Sequence, residues 1–126
     1  MAERVHGIDL VEIDRIEALL ESHGCRFLER VFTEDEQRYA ERSTGLRSER
    51  YAARFAAKEA VFKALGCGWA GGTAWTDVGV RHAAGGAPTI VLSGHTAEIA
   101  TARGISTWLV SLSHTNGLAM ASVIGT

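Results

Sequence analysis

Four charged side chains interrupt the apolar run YAARFAAKEAVFKALG (51–66): Arg54, Lys58, Glu59 and Lys63. Arg54 and Lys58 are four residues apart, as are Glu59 and Lys63, so on a helix each pair would share a face. As solvated surface pairs they would contribute only about 0.2–0.5 kcal/mol each. Phe55, Ala56, Val61, Phe62 and Leu65 take up most of the remaining circumference, which leaves the charges a narrow strip beside apolar groups. Charges partly withdrawn from water need partners. One candidate partner is Asp9, set between Ile8 and Leu10 in GIDLVEI. Aspartate is depleted in strands, so Asp9 is a satisfied polar group near a strand end, an edge device or a ligand. If Asp9 and Glu59 converge, they form a two-carboxylate, all-oxygen site. Such a site suits Mg²⁺, which completes its octahedron with water and substrate phosphate. Lys63, one turn beyond Glu59, would meet the same phosphate as a point charge. Aspartate, glutamate and lysine together describe a phosphoryl-handling centre. Spacing alone does not bring them together, and a merely solvated strip remains the alternative.

The elements that must position these residues can be read from the same sequence. The 126 residues suit one domain (1–126) burying roughly two-thirds of its unfolded surface. With 46% hydrophobic and 22% charged residues, the chain has the balance of a folded protein. A formal net charge of -2 disfavours a general nucleic-acid binder, so any anion must be met by local basic groups. Cys25 and Cys67 are too few for a disulfide framework and read as small hydrophobes. No run of about eighteen apolar residues occurs, and MAERVHG lacks the features of a signal peptide, so no membrane contact and a cytoplasmic location are expected.

Residues 4–12 read as a strand. Asp14 and Glu17 give a capping-box-like helix start, with Gly24 as its stop. Thr33 and Glu36 repeat the signal for a polar helix near 34–43. Ser48 is placed to cap the long helix and Gly66 to end it. After a glycine-rich stretch, residues 75–81 and 88–93 look like strands joined by AAGGAP, and 95–103 look helical up to Gly104. The end, STWLVSLSHTNGLAMASVIG, is two strands around Asn116-Gly117, a strong hairpin signal. The order predicts an α+β fold: one strand, then helices, then mostly antiparallel sheet with a C-terminal hairpin. On the last strand Leu118, Met120 and Ile124 point one way and Ala119, Ala121 and Val123 the other. A strand apolar on both faces is covered on both, which argues for an oligomer.

The pair GIDLVEIDRI (7–16) and RFAAKEAVFKALG (54–66) resembles the holo-[acyl-carrier-protein] synthase family, the short type of 4′-phosphopantetheinyl transferase. The family signature is a G-[IVL]-D strand followed by an F-x-x-K-E-[AS]-x-x-K helix. The closing VSLSHTNGLAMASVI is similar to the family's S-x-[ST]-H-[TD] hairpin, and GGAP before a strand is similar to its G-x-P element. Together these motifs run nearly the length of the chain.

The resemblance implies transfer of 4′-phosphopantetheine from coenzyme A to a serine of an apo acyl carrier protein of fatty-acid or polyketide synthesis. Adenosine 3′,5′-bisphosphate would be released. It implies the transferase fold and a homotrimer with active sites between subunits. Asp9 and Glu59 would hold Mg²⁺, Lys63 would neutralise charge on the phosphates, and Glu59, directly or through water, would take the serine proton. Arg54, Lys58 and Lys63 would hold coenzyme A, with Ser113, His114 and Thr115 of the hairpin motif, His114 reaching from a neighbouring subunit. His6, His23, His82 and His95 match nothing and read as surface or packing residues. Arg15, Arg26 and Arg30, with Phe27 and Leu28 between the last two, resemble the family's carrier-docking helix; an acidic carrier would be steered by the arginines. Two departures stand out. Val11, two after Asp9, is not the third carboxylate of long-type relatives, and WAGGTAWTD carries two unfamiliar tryptophans. A non-catalytic oligomer of the same fold that binds coenzyme A or a nucleotide is the rival reading.

Overall fold

The computed structural model describes residues 3–68 and 71–126. Met1 and Ala2 of the N-terminal stretch, and Trp69 and Ala70 of the glycine-rich stretch, lie outside the described residues.

A 19-residue helix, α4 (Arg47–Leu65), is the axis of the fold. Its alanines other than Ala64, together with Phe55, Val61, Phe62 and Leu65, are buried. Gly66 ends it in the left-handed conformation (φ 67°), with its N–H bonded back to the last turn. Across α4 lies a three-stranded antiparallel sheet in the order β1 (Val5–Glu12), β5 (Leu118–Gly125), β4 (Trp108–Thr115). Its inner face presents Val5, Val11, Ala119, Ala121 and Val123, all buried. β1 crosses α4 at Gly7, where a Cβ would come within 1.9 Å of the Ala60 carbonyl oxygen. Only glycine allows that approach, and it brings Asp9 onto the helix. The register sets Asp9 opposite Ala121, and Ala121 opposite Leu112.

The turn between β4 and β5 is Asn116-Gly117, both at positive φ (48° and 78°), as a tight hairpin turn requires. β5 buries only the face carrying Ala119, Ala121 and Val123. On its other face Leu118, Met120 and Ile124 join Ile8, Leu10 and Leu109 in an apolar surface, each 37–62% exposed.

Between β1 and α4 come α1 (Ile13–His23), α2 (Cys25–Val31) and α3 (Glu34–Glu41). The capping box opening α3 is present: Glu36 N–H donates to Thr33 Oγ1 (3.2 Å) and Thr33 N–H to Glu36 Oε1 (2.7 Å). The start of α1 is not the expected one. β1 runs directly into the helix through Glu12, without a side-chain cap, and Ile13 N–H donates to the Gly117 carbonyl of the hairpin (2.8 Å). Asp14 lies inside the first turn, where it favours the helix dipole instead. Ser48 likewise lies inside α4; it is Ser43 Oγ that accepts from Leu46 N–H (3.3 Å) at the boundary.

Residues 75–77 form a 3₁₀ turn (Trp75–Asp77) rather than strand, because the Asp77 carboxylate accepts from Ala74 N–H and Thr96 and bends the backbone. The second sheet is the pair β2 (Val78–His82) and β3 (Pro88–Leu92), followed by α5 (Gly94–Ala102). Cys67 is half-buried, whereas Cys25 is exposed on α2 and not a packing residue.

Candidate active site

Asp9 sits on the inner face of β1 with its side chain 14% exposed. Lys63 Nζ, from α4, donates to Asp9 Oδ1 (2.8 Å) and to the Ile8 carbonyl (3.3 Å). Glu59, one turn earlier and half-buried, shares this neighbourhood. Burial pushes its carboxyl above the ordinary value, and the negative charge of Asp9 adds to the rise; Lys63 and Arg15 pull it down. Two carboxylates that repel each other in a partly dry site are a pair whose repulsion a cation would relieve. Among the described residues no three His, Cys, Asp or Glu side chains cluster for a metal. The donor set is therefore two carboxylates, which fits a hard ion that keeps water and phosphate in its shell and does not fit an all-protein cage. Hydrogen bonding to Asp9 raises the Lys63 ammonium, which stays charged and exposed beside them.

Arg15, exposed on α1, joins this group, its guanidinium 5.9 Å from the Phe55 ring centre and close enough to act on Glu59. Arg26 and Arg30 are exposed on α2. Phe27, between them, is half-buried and edge-on to Phe32 (ring centres 5.6 Å apart), so it anchors α2 as well as lining its surface.

Lys58 is elsewhere. Its side chain is fully buried and its Nζ donates to Glu36 Oε1 (2.7 Å), the Val78 carbonyl (2.5 Å) and the Trp75 carbonyl (3.3 Å). All three ammonium hydrogens are used, and burial lowers its pKa against the pull of Glu36. The expectation that Lys58 binds coenzyme A is corrected: it has no donor left and no exposed surface. It belongs to a buried ion pair that ties α3 to α4 and to β2. Glu36 completes the pair by accepting Val80 N–H at Oε2 (2.8 Å).

Arg54, one turn before Lys58, is also buried (3% exposed), but no carboxylate pairs with it among the described residues. It donates to the Arg50 carbonyl (3.1 Å) and lies against the Tyr39 ring (4.2 Å), and its Nε has no hydrogen-bond partner. It lines a cavity of about 350 Å³ together with Tyr39, Arg50 and His82 on one side and Leu112 and His114 on the other. Ser113 and Thr115 are exposed and do not line it. The expected site residues therefore form two groups on α4, Asp9–Glu59–Lys63 and Arg54 with His114.

Sequence reasoning passed over Tyr39 and Arg50 and read His82 as a surface or packing residue. Arg50 precedes Arg54 by one helical turn, a signal that was available; the other two meet it only through the tertiary fold.

The fold sets a carboxylate pair and a lysine where strand β1 crosses the long helix α4. Residues 6–121 match the family model described as the 4′-phosphopantetheinyl transferase superfamily, and the chain belongs to that family. It is 45% identical to the holo-[acyl-carrier-protein] synthase of Solibacter usitatus over 118 residues, 94% of each chain. It is 48% identical to that of Gloeobacter violaceus over 117 residues, covering 93% of this chain and 88% of the relative. Among solved structures it is similar to the Helicobacter pylori holo-[acyl-carrier-protein] synthase in complex with coenzyme A. The TM-score is 0.83 at 32% identity, covering 96% of this chain and 99% of that one.

Proposed function

We propose that this chain is a holo-[acyl-carrier-protein] synthase, moving 4′-phosphopantetheine from coenzyme A to a serine hydroxyl of an apo acyl carrier protein. The observation that carries this reading is the meeting of Asp9, Glu59 and Lys63 at the β1–α4 crossing, in a chain of this family. The serine oxygen forms a bond to the β-phosphorus of the coenzyme A pyrophosphate. The bond from that phosphorus to the bridging oxygen breaks, and adenosine 3′,5′-bisphosphate leaves with the electron pair. Asp9 and Glu59 are the residues to hold Mg²⁺, which would supply charge neutralisation on the pyrophosphate. Lys63 contributes a second positive charge there. Glu59 would take the serine hydrogen, directly or through water. Arg54, whose guanidinium makes no ion pair with a carboxylate among the described residues, offers its charge to a coenzyme A phosphate in the 350 Å³ cavity.

The open apolar face of the three-stranded sheet supports self-association, and a homotrimer with His114, Ser113 and Thr115 reaching a neighbour's coenzyme A is the form we favour. Arg15 on α1 acts on Glu59, and Arg26 and Arg30 are exposed on α2; these basic groups are suited to steering an acidic carrier. No helix among the described residues is long and apolar enough to cross a membrane, and we place the reaction in the cytoplasm.

Release of adenosine 3′,5′-bisphosphate on adding apo carrier tests the reading. It should require the carrier's serine, and charge reversal at Arg15 and Arg26 should raise the Michaelis constant for carrier. Release that is indifferent to the serine, or no release with several carriers, would overturn it.

A further inference from the structure

His82 ends β2, just before the turn that carries Gly86 and leads to Pro88. Its ring makes two polar contacts: Nδ1 lies 2.9 Å from the Gly86 carbonyl oxygen and Nε2 lies 2.6 Å from Arg54 Nη2. A carbonyl only accepts and a guanidinium only donates. Nδ1 therefore carries the hydrogen and Nε2 presents its lone pair to Arg54. The ring also stacks on Tyr39 (centroids 4.1 Å apart, 25° between planes), and Tyr39 is the ring against which Arg54 and Arg50 lie. His82 is thus fixed on three sides, and its free lone pair is spent on a buried cation that makes no ion pair with a carboxylate among the described residues. A neutral acceptor holds that cation in place without cancelling its charge. Glutamate or aspartate at this position would hold it equally well but would consume it.

We propose that His82 is a positioning residue for coenzyme A: it fixes the Arg54 guanidinium at the cavity wall, still fully charged, for a phosphate of the incoming coenzyme. This inference rests on the reading of the cavity as a coenzyme A site. It gives the β2–β3 turn a task, since the same ring joins the Gly86 carbonyl to Arg54 and so couples the turn's position to the guanidinium's.

The test is the Michaelis constant for coenzyme A, kcat and the coenzyme A dissociation constant in wild type, His82→Ala, His82→Gln and His82→Asn, with thermal melting of each. Glutamine can place an acceptor where Nε2 stands, whereas asparagine can replace only the Nδ1 contact to Gly86. His82→Ala should raise the Michaelis and dissociation constants about tenfold, the loss expected for a hydrogen bond to a charged group, with kcat little changed. His82→Gln should recover most of that loss and His82→Asn little of it. If His82→Ala does not fold, the Gln and Asn variants alone decide. Recovery by Asn and not Gln would overturn the proposal, leaving a residue that only tethers the turn. Unchanged coenzyme A binding in a folded His82→Ala variant would overturn it too. Arg54→Met separates the layers: if it leaves coenzyme A binding intact, the cavity reading fails and the proposal falls with it. If Arg54→Met weakens binding and His82→Ala does not, only the proposal fails.

Discussion

Arg54 and Lys58 stand one turn apart on α4, and both are buried cations. Lys58 faces α3 and β2, where Glu36 and two carbonyls take all its hydrogens. Arg54 faces a cavity, with a histidine, a carbonyl and an aromatic ring but, among the described residues, no carboxylate in ion-pair contact. The difference separates two reasons for keeping a charge inside a protein. A buried cation whose partner belongs to the chain holds the fold together. One whose partner is missing has had its desolvation offset only in part, and a ligand must supply the rest. Glu59 is the acidic counterpart of Arg54, since burial and Asp9 both work against its ionisation until a cation arrives.

Matched substitutions sharpen the comparison. Lys58→Met should be the most damaging to the fold, because it leaves the Glu36 carboxylate buried without its cation. The expected loss in urea unfolding is about 3–5 kcal/mol, only part of it recovered when Glu36→Gln is added, because glutamine keeps one of the two oxygens that accept the Thr33 and Val80 N–H groups. Gly7→Ala should follow, at about 1–3 kcal/mol or more, because the new methyl meets the Ala60 carbonyl and pushes β1 off α4. That variant should also lose transfer activity, since Asp9 moves with the strand. Arg54→Met should invert the pattern of Lys58→Met: stability within about 0.5 kcal/mol of wild type, but the Michaelis constant for coenzyme A raised about tenfold. A large loss of stability in Arg54→Met would break the comparison.

Glu59→Gln should have a small effect on stability, and in the opposite direction. A raised native pKa means that the protonated carboxyl is the form the fold favours. Its stabilising contribution is complete below the ordinary value of 4.5 and is lost as pH rises through the native one. At neutral pH the ionised carboxylate costs stability, and glutamine removes that cost. Without Mg²⁺ the variant should melt a few degrees above wild type, the gap closing below about pH 4. Added Mg²⁺ should stabilise wild type and not the variant.

Features set by adjacent residues were legible before the structure. The Asn116-Gly117 hairpin, the Thr33–Glu36 capping box and the Gly66 helix stop depend on neighbours within a few positions. The α+β order followed from them. Features set by distant partners were not. Glu36 was read only as a cap; its second oxygen and its bond to Lys58 become visible only when β2 and α4 close on it. Lys58 therefore looked like a ligand-binding lysine, since a helical strip of charges gives no sign of which member has a partner 22 residues away. The start of α1 was misplaced because the hairpin, not a side chain, caps it. Asp9, Glu59 and Lys63 were assembled from residue chemistry and a family likeness. Gly7 permits the strand–helix approach that brings them together, and only the fold shows why a glycine must stand there.

The measurement that bears most directly on this site is the intact mass of an apo acyl carrier protein after incubation with the chain, coenzyme A and Mg²⁺. Wild type should add one phosphopantetheine per carrier. The addition should disappear with EDTA and in Asp9→Ala and Glu59→Ala, both still folded, and it should persist in Arg54→Met at saturating coenzyme A. Undiminished transfer by folded Asp9→Ala and Glu59→Ala would contradict the account, as would no transfer by wild type to any of several carriers.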